Sequence, residues 1–339
     1  MSRKLLIVGP AWVGDMVMAQ TLFKLLKAQD GSTQIDVLAP LWTFPLLSRM
    51  AEVHEAIEMP VTHGELKLRV RFALAKRLQQ RGYDQAIILP NAFKAALIPW
   101  LAKIPKRTGW RGEFRYGLLN DLRHLDKSRY PKMIARFMAL GLPKQQPLPS
   151  SYPQPALTVV PDAAQAIAAS LGLVMPTSVP VLALSPGAAF GSAKRWSAAH
   201  YAAVATQKLA DGWQVWLFGS AADQSITANL NALTKNRCID LAGRISLAET
   251  VDLLSLVTGL VTNDSGLMHV AAALNKPLVA LYGPTSALFT PPLTHRAQLL
   301  SLKLPCQPCF KRECPLLHHQ CMRDLAPAAV LAAIAAWEV

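Results

Sequence analysis

The feature that most constrains the fold is a repeated alternation of short apolar runs, each stopping at Gly, Pro, Ser or Asp, with stretches of helical apolar spacing. It opens at KLLIVGP (4–10), turns through AWVGD into MVMAQTLFKLLKAQ, and continues with QIDVLAP (34–40) and QAIILP (85–90). Between the last two lies ELKLRVRFALAKRLQQRG, ending at Gly82. Apolar runs without polar alternation suit strands buried on both faces, and alternation with helices implies a parallel sheet covered by helices. The pattern restarts as VPVLALSPG (179–187), QVWLFGS (214–220), CIDLAG (238–243), GLVTNDSG (259–266) and PLVALYGP (277–284). An α/β chain of two doubly wound parallel-sheet domains is expected, with ligands at the carboxyl ends of the strands.

Eight prolines, at 143, 147, 149, 153, 155, 161, 176 and 180, interrupt the pattern. Such density breaks regular structure and predicts an extended connection between domains at 1–160 and 161–325, with a last helix at about 326–339 packing back on the first. No period of 20–50 residues repeats, which excludes a solenoid. With 339 residues and 52% hydrophobic against 17% charged residues, each domain can bury its own core, and disorder is excluded. No apolar run approaches the ~18 residues of a membrane span. Asp15 interrupts the opening run and no cleavage site follows, so the start reads as a strand rather than a signal peptide. Five cysteines, an odd number with four crowded near the C-terminus, suit a reducing cytoplasm.

Charge is uneven. Residues 1–150 hold 23 Lys and Arg against 11 Asp and Glu, a net +12, whereas residues 151–339 hold 12 against 10. The first half is expected to meet something anionic, be it nucleic acid, a membrane surface or a phosphorylated and carboxylated substrate. Within it, Asn91 and Lys94 follow a strand, and Lys106, Arg107, Arg111, Arg115 and Arg123 are interleaved with Trp110, Phe114 and Tyr116. Arg forks match phosphate and carboxylate, and aromatic faces stack on sugars, although a nucleic-acid face or a merely solvated basic surface has the same ingredients.

Neither half contains G-x-G-x-x-G with an acidic residue ~20 positions on, and there is no P-loop, so nicotinamide chemistry is poorly supported. No nucleic-acid motif is recognisable, which disfavours a non-enzymatic basic nucleic-acid-binding protein. The loops GPAWVGDMVMAQ (9–20), SPGAAFGSAKRW (185–196), LFGS (217–220) and NDSGLMHVAAALNKPLVALYGPT (263–285), with NAFKAAL (91–97) and RTGWRGEFRYGLLND (107–121), resemble the heptosyltransferase family of bacterial glycosyltransferases, glycosyltransferase family 9. The resemblance runs through nearly the whole chain, with its motifs in order. It implies the GT-B architecture: two facing Rossmann-like domains with a cleft between them, the first binding acceptor and the second the sugar nucleotide. The implied donor is ADP-L-glycero-β-D-manno-heptose, and the implied acceptor is the lipid A–Kdo core of lipopolysaccharide already bearing one heptose. A sister member of the family with another acceptor is the alternative. A cytoplasmic, Gram-negative enzyme at the inner face of the inner membrane is expected, attached peripherally through surface such as FKAALIPWLAK (93–103), with no nucleic-acid partner. The sequence fixes no oligomeric state.

Inverting transfer needs a base for the attacking hydroxyl, and Asp15 is the candidate, although Asp at a helix start is also a favoured cap. Lys194 is the candidate cation for the leaving diphosphate, which would make a catalytic metal or cofactor unnecessary. Gly14, Ser185, Gly187, Ala188, Asp264, Ser265 and Gly266 are expected to touch donor, Asp264 by orienting hydroxyls or loop amides. His269 either reaches the same site or packs in the core. Ser220, Asp223, Leu241 and Gly243 are expected to line the nucleoside pocket, and Asn91, Lys94, Arg107, Trp110, Arg111 and Arg115 to bind acceptor. Finally, CQPCFKRECPLLHHQC sets Cys306, Cys309, Cys314 and Cys321 around His318 and His319. Structural zinc, reduced packing thiols and disulfides all remain open for it, while Cys238 reads as core.

Overall fold

The computed structural model describes residues 2–61, 65–173 and 179–337. The chain forms two compact units, Met1–Pro155 and Ala156–Val339, dividing five residues before the expected boundary.

In the first unit the order is β1 (Lys4–Val8), α1 (Val13–Gln29), β2 (Gln34–Ala39), α2 (Phe44–Leu47), β3 (Glu55–Glu58), α3 (Leu68–Gln79), β4 (Gln85–Ile88), α4 (Phe93–Leu101), β5 (Lys106–Trp110), β6 (Asp121–Arg123) and α5 (Met133–Gly141). The strands form one parallel sheet in the order β3-β2-β1-β4-β5-β6, with Leu5 of β1 facing Ile35 on one side and Gln85 on the other. This is the doubly wound order, in which β1 and β4 flank the point where winding reverses. The central strands are apolar because helices cover both faces. Leu6, Val8, Leu38, Ala86 and Ile88 pack with Leu74 and Leu78 of α3 and Ile98 of α4. The polar exceptions are joined across strands: Gln85 Nε2 donates to Thr108 Oγ1 at 2.7 Å, and Thr108 Oγ1 to Asp121 Oδ2 at 2.9 Å.

The second unit runs α6 (Pro161–Ser170), β7 (Val181–Ser185), α7 (Ala198–Ala210), β8 (Gln214–Leu217), α8 (Gln224–Leu233), β9 (Ile239–Asp240), α9 (Leu247–Leu256), β10 (Gly259–Asn263), α10 (Gly266–Ala273), β11 (Leu278–Leu281), β12 (Ala297–Leu300), α11 (Gln320–Arg323) and α12 (Pro327–Ala335). Its sheet is parallel in the order β12-β11-β10-β7-β8-β9, the same winding as the first, with the reversal between β7 and β10. Both units are Rossmann-like.

Three expectations change. The proline-rich stretch is not wholly extended: Pro161 occupies the first turn of α6, where a missing N–H costs nothing, and α6 packs on α9. Pro176 lies outside the described residues. The last helix, expected to pack back on the first unit, packs within the second: α12 lies on α7, β11 and β12, where its buried Val330, Ala333 and Ile334 complete the second core. Third, the segment 93–103 is mostly core, with Ala95 to Pro99 buried in α4 and Phe93, Trp100 and Lys103 exposed.

Beyond α12, Trp337 lies so close to Gly259 that a side chain there would strike its ring. Trp337→Ala is expected to cost about 3 kcal/mol and to lower the urea midpoint of the second unit in far-UV circular dichroism. An unchanged midpoint would show that other contacts hold the helix.

Candidate functional site

In the second unit the candidate residues gather at the carboxyl ends of β7, β8, β9 and β10. The organising side chain is Asn263, fully buried at the end of β10. Its Nδ2 donates to the carbonyls of Pro186 (2.8 Å) and Gly187 (3.3 Å), while its Oδ1 accepts from Trp196 N (3.2 Å) and Tyr201 OH (3.1 Å). One amide thus latches both ends of the loop after β7 onto β10, across the winding reversal. Asn263 was missed in the sequence, where its only signal is a polar residue closing an apolar strand.

Across the same reversal, Lys194 Nζ donates to Asp264 Oδ2 at 2.7 Å and to the Asp264 carbonyl at 3.1 Å. Both side chains are largely buried, so the pair is screened little by solvent. Lys194 also sits 5.0 Å over the Phe190 ring. Ser265 stands at the N-cap of α10 but makes no capping bond; its Oγ lies 3.0 Å from Thr262 Oγ1. The first amides of α10, beginning at Gly266, therefore lack that side-chain partner, and such helix starts favour anions. His269, one turn on, is buried, and desolvation holds its imidazole down to about 4, with Asp264 opposing and Lys194 reinforcing the shift. It is a neutral core histidine beside the ion pair. Thr285 Oγ1, just past β11, is buried without a hydrogen-bond partner.

Ser185 and Ala188 are buried, as is Leu241, whose side chain joins the core while its N–H donates to Leu217 O. Ser220 and Asp223 form a capping box, with Asp223 Oδ2 accepting from Ser220 N (2.9 Å) and Oγ (2.7 Å). The Asp223 carboxylate lies against Gly187, where any side chain would collide with it. Gly243 takes the left-handed conformation (φ +65°) and packs on Ala221 and Gln224. These residues shape the loops, and glycine at 187 and 243 is what lets the Asp223 carboxylate and the Ala221 backbone approach so closely.

In the first unit Asp15 lies in the first turn of α1, but Trp12 is the N-cap residue, so Asp15 is not the cap. Gly14 beside it is buried. Asp15, Asn91 and Lys94 follow β1 and β4, the two strands that flank the reversal.

Several expected acceptor contacts are instead internal ties. Arg115 is fully buried and donates to the Pro90 carbonyl at 2.7 Å, to Asn91 Oδ1 at 3.3 Å and to the Trp110 carbonyl; burial lowers it to about 10. Trp110 is 5% exposed and its Nε1 donates to Arg136 O. Arg107 donates to the carbonyls of Leu118 and Ile104, and Arg123 to those of Ala139 and Leu142. The physical reason is common: an Arg fork satisfies several loop carbonyls that no strand or helix pairs. Exposed at this edge are Asn91 and Arg111, with Lys94 half-buried, joined by Trp12, Trp42, Phe93, Phe114 and Tyr116. Trp42 Nε1 donates to Ala11 O, tying the loops after β1 and β2.

The four C-terminal cysteines are free thiols lining one small cavity with His318. Among the described residues, the group whose donor atoms all lie within 4.8 Å of one another is another one, Asp36, His54 and Glu55. There Asp36 accepts from Tyr83 OH (2.6 Å) and pairs with His54 (2.8 Å), while Arg81 pairs with Glu55, a self-satisfied network.

The sequence profile of glycosyltransferase family 9 (heptosyltransferase) matches residues 71–320. The chain is 47% identical over 337 residues to lipopolysaccharide heptosyltransferase 2 of Salmonella typhimurium, covering 97% of this chain and 96% of that one. It is 46% identical over 311 residues to lipooligosaccharide heptosyltransferase 2 of Haemophilus influenzae, covering 88% of each. The solved structure of E. coli ADP-heptose LPS heptosyltransferase II is similar with a TM-score of 0.88 and 44% identity, covering 98% of each chain. With a family profile spanning most of the sequence and relatives this similar along nearly all of it, the chain belongs to glycosyltransferase family 9, the heptosyltransferases.

Proposed function

We propose that the chain transfers heptose from ADP-heptose to the heptose already carried by the lipid A–Kdo inner core of lipopolysaccharide, with inversion at the anomeric carbon. The observation that carries this reading is the Lys194–Asp264 pair beside the uncapped start of α10, in a chain so similar to heptosyltransferases of type 2. Cation and helix amides together suit the charge that builds on a departing diphosphate. Lys194 would exchange part of its bond to Asp264 for phosphate, and Asp264 would keep the ammonium aimed. Thr285 Oγ1 offers one more donor. Gly187, Ser220, Asp223, Leu241 and Gly243 shape the nucleoside side through their backbones.

In the transfer, the acceptor oxygen forms a bond to the anomeric carbon while the bond to ADP breaks, and Asp15 takes the hydroxyl proton. Lys194 and the α10 amides carry the leaving charge, so no catalytic metal or cofactor is invoked. The basic first unit suits an acceptor rich in phosphate and carboxylate, met by Asn91, Lys94 and Arg111. No helix among the described residues is long and apolar enough to cross a membrane. Contact with the cytoplasmic face of the inner membrane would run through the exposed aromatic rim of Trp12, Trp42, Phe93, Phe114 and Tyr116.

Purified protein should release ADP from ADP-heptose, in the presence of chelator, only with acceptor carrying one heptose. Turnover with the heptose-free core instead would make it a sister enzyme, and no turnover with any acceptor would sink the proposal. Asp15→Asn should lower kcat by ~100-fold or more with donor affinity kept. Lys194→Ala should lower kcat/KM for donor by ~100-fold; near-normal kinetics in either variant would remove that assignment.

His269 generates a separate expectation. The unfolded imidazole accepts a proton near pH ~6.5, but the native one resists to about 4. Its contribution is thus full above the unfolded value and lost as pH falls through that window, by about 3 kcal/mol at the acid end. Urea midpoints followed from neutral pH toward 4 should fall, and His269→Gln should flatten that slope; an equal slope in the variant would assign the dependence to other groups.

A further inference from the structure

Residues 301–319 contain no helix or strand, and none of their side chains is fully buried. Ordering a backbone costs about 1–2 kcal/mol per residue, and long segments of this kind need a staple when they lack a core. The polar ties are few. Gln307 Nε2 donates to Tyr282 O (3.2 Å) and Gly283 O (2.7 Å), and Phe310 N to Pro284 O (2.7 Å), which fixes the first part of the segment on the end of β11.

What the segment does concentrate is sulfur. Cys306, Cys309 and Cys314 lie in it, and Cys321 stands just beyond, in α11 and against Gly283. All four line one cavity of about 20 Å³, with His318 at its side and Ala193 closing it. That is room for one small sphere and no more. Leu317 N donates to the Cys314 carbonyl at 3.1 Å, closing the turn that follows that thiol. No three of these donors lie mutually within 4.8 Å of one another, so a ligating ion would draw the sulfurs inward.

We propose that Cys306, Cys309, Cys314 and Cys321 form a closed metal site for one thiophilic ion, zinc or iron, and that this ion braces the loop carrying Lys194. Four thiolates complete a tetrahedral shell for either metal and leave no open position, so the site is structural. The bracing follows from contacts between the two segments. Ala193 N donates to Arg312 O at 3.0 Å, and Gly191 lies against the Arg312 backbone so closely that no side chain fits between them. The Arg312 guanidinium and the Lys194 ammonium sit over the same Phe190 ring, at 5.5 and 5.0 Å. A slack 306–314 segment would therefore release the Gly191–Lys194 turn.

The test is metal content of the full chain, purified under reducing conditions without chelator. About one zinc or iron per chain is expected, and elemental analysis tells the two apart. Cobalt substitution should give thiolate-to-metal charge-transfer absorption and the strong d–d bands of a tetrahedral site. Cys309→Ser should abolish both signals, whereas Cys238→Ser, which alters a core thiol, should keep them. Should the Cys309 variant fail to fold, an organomercurial added to the wild-type chain still decides, because it should free the ion in step with the reacting thiols. Hydrogen exchange at residues 188–195 should then rise. A chain that carries no transition metal and takes up neither zinc nor cobalt overturns the site, as does a disulfide among these four in protein kept reduced. Unchanged exchange at 188–195 after metal release overturns the brace.

Discussion

The buried Asn263 carboxamide is the interaction on which the second unit's site depends. Its two donors and one acceptor meet four partners from the loop after β7 and the start of α7. Buried as it is, no water can replace it, so its loss would leave several polar groups unpaired at once. Fixing that loop sets the position of Lys194, which in turn pairs with Asp264, the residue next after Asn263. The latch therefore carries the ion pair, and the ion pair faces the start of α10.

The first unit solves a similar problem with arginine. Its chain after β4 and β5 and at the ends of α4 and α5 is irregular, and the carbonyls there are met by Arg107, Arg115 and Arg123. Such guanidinium forks hold several carbonyls each and stay charged in spite of burial. Part of the charge that makes the first half so basic is thus spent inside the molecule. What remains at the carboxyl edge of that sheet is a smaller set of cations set among exposed aromatic side chains, a surface suited to sugar and phosphate together.

The alternating apolar runs fixed β1, β2, β4, β7, β8, β10 and β11 and the helices between them, because a strand buried on both faces must be apolar throughout. β3 and β12 escaped, since edge strands are half-exposed and read EAIE and AQLL, too short and too mixed to stand out. β5 and β6 escaped because KRTGW and DLR look like a basic loop. The helix α6 was hidden by proline density, although Pro161 is itself a helix start.

By itself the sequence determined the fold class, the two-unit organisation, the strand ends from which a site could be built, and the family, since these depend on local pattern and on motifs contiguous in the chain. Only the tertiary structure decided which polar residues are latches and which are offered to a ligand. Asn263 and Arg115 are polar in the sequence like their neighbours, and their roles appear only when residues 67 or more than 20 positions away supply their partners. The same holds for α12, whose apolar face would suit either unit until the gap beside α7 and β11 is seen. Burial and hydrogen-bond partnership are properties of the folded surroundings, and no local pattern encodes them.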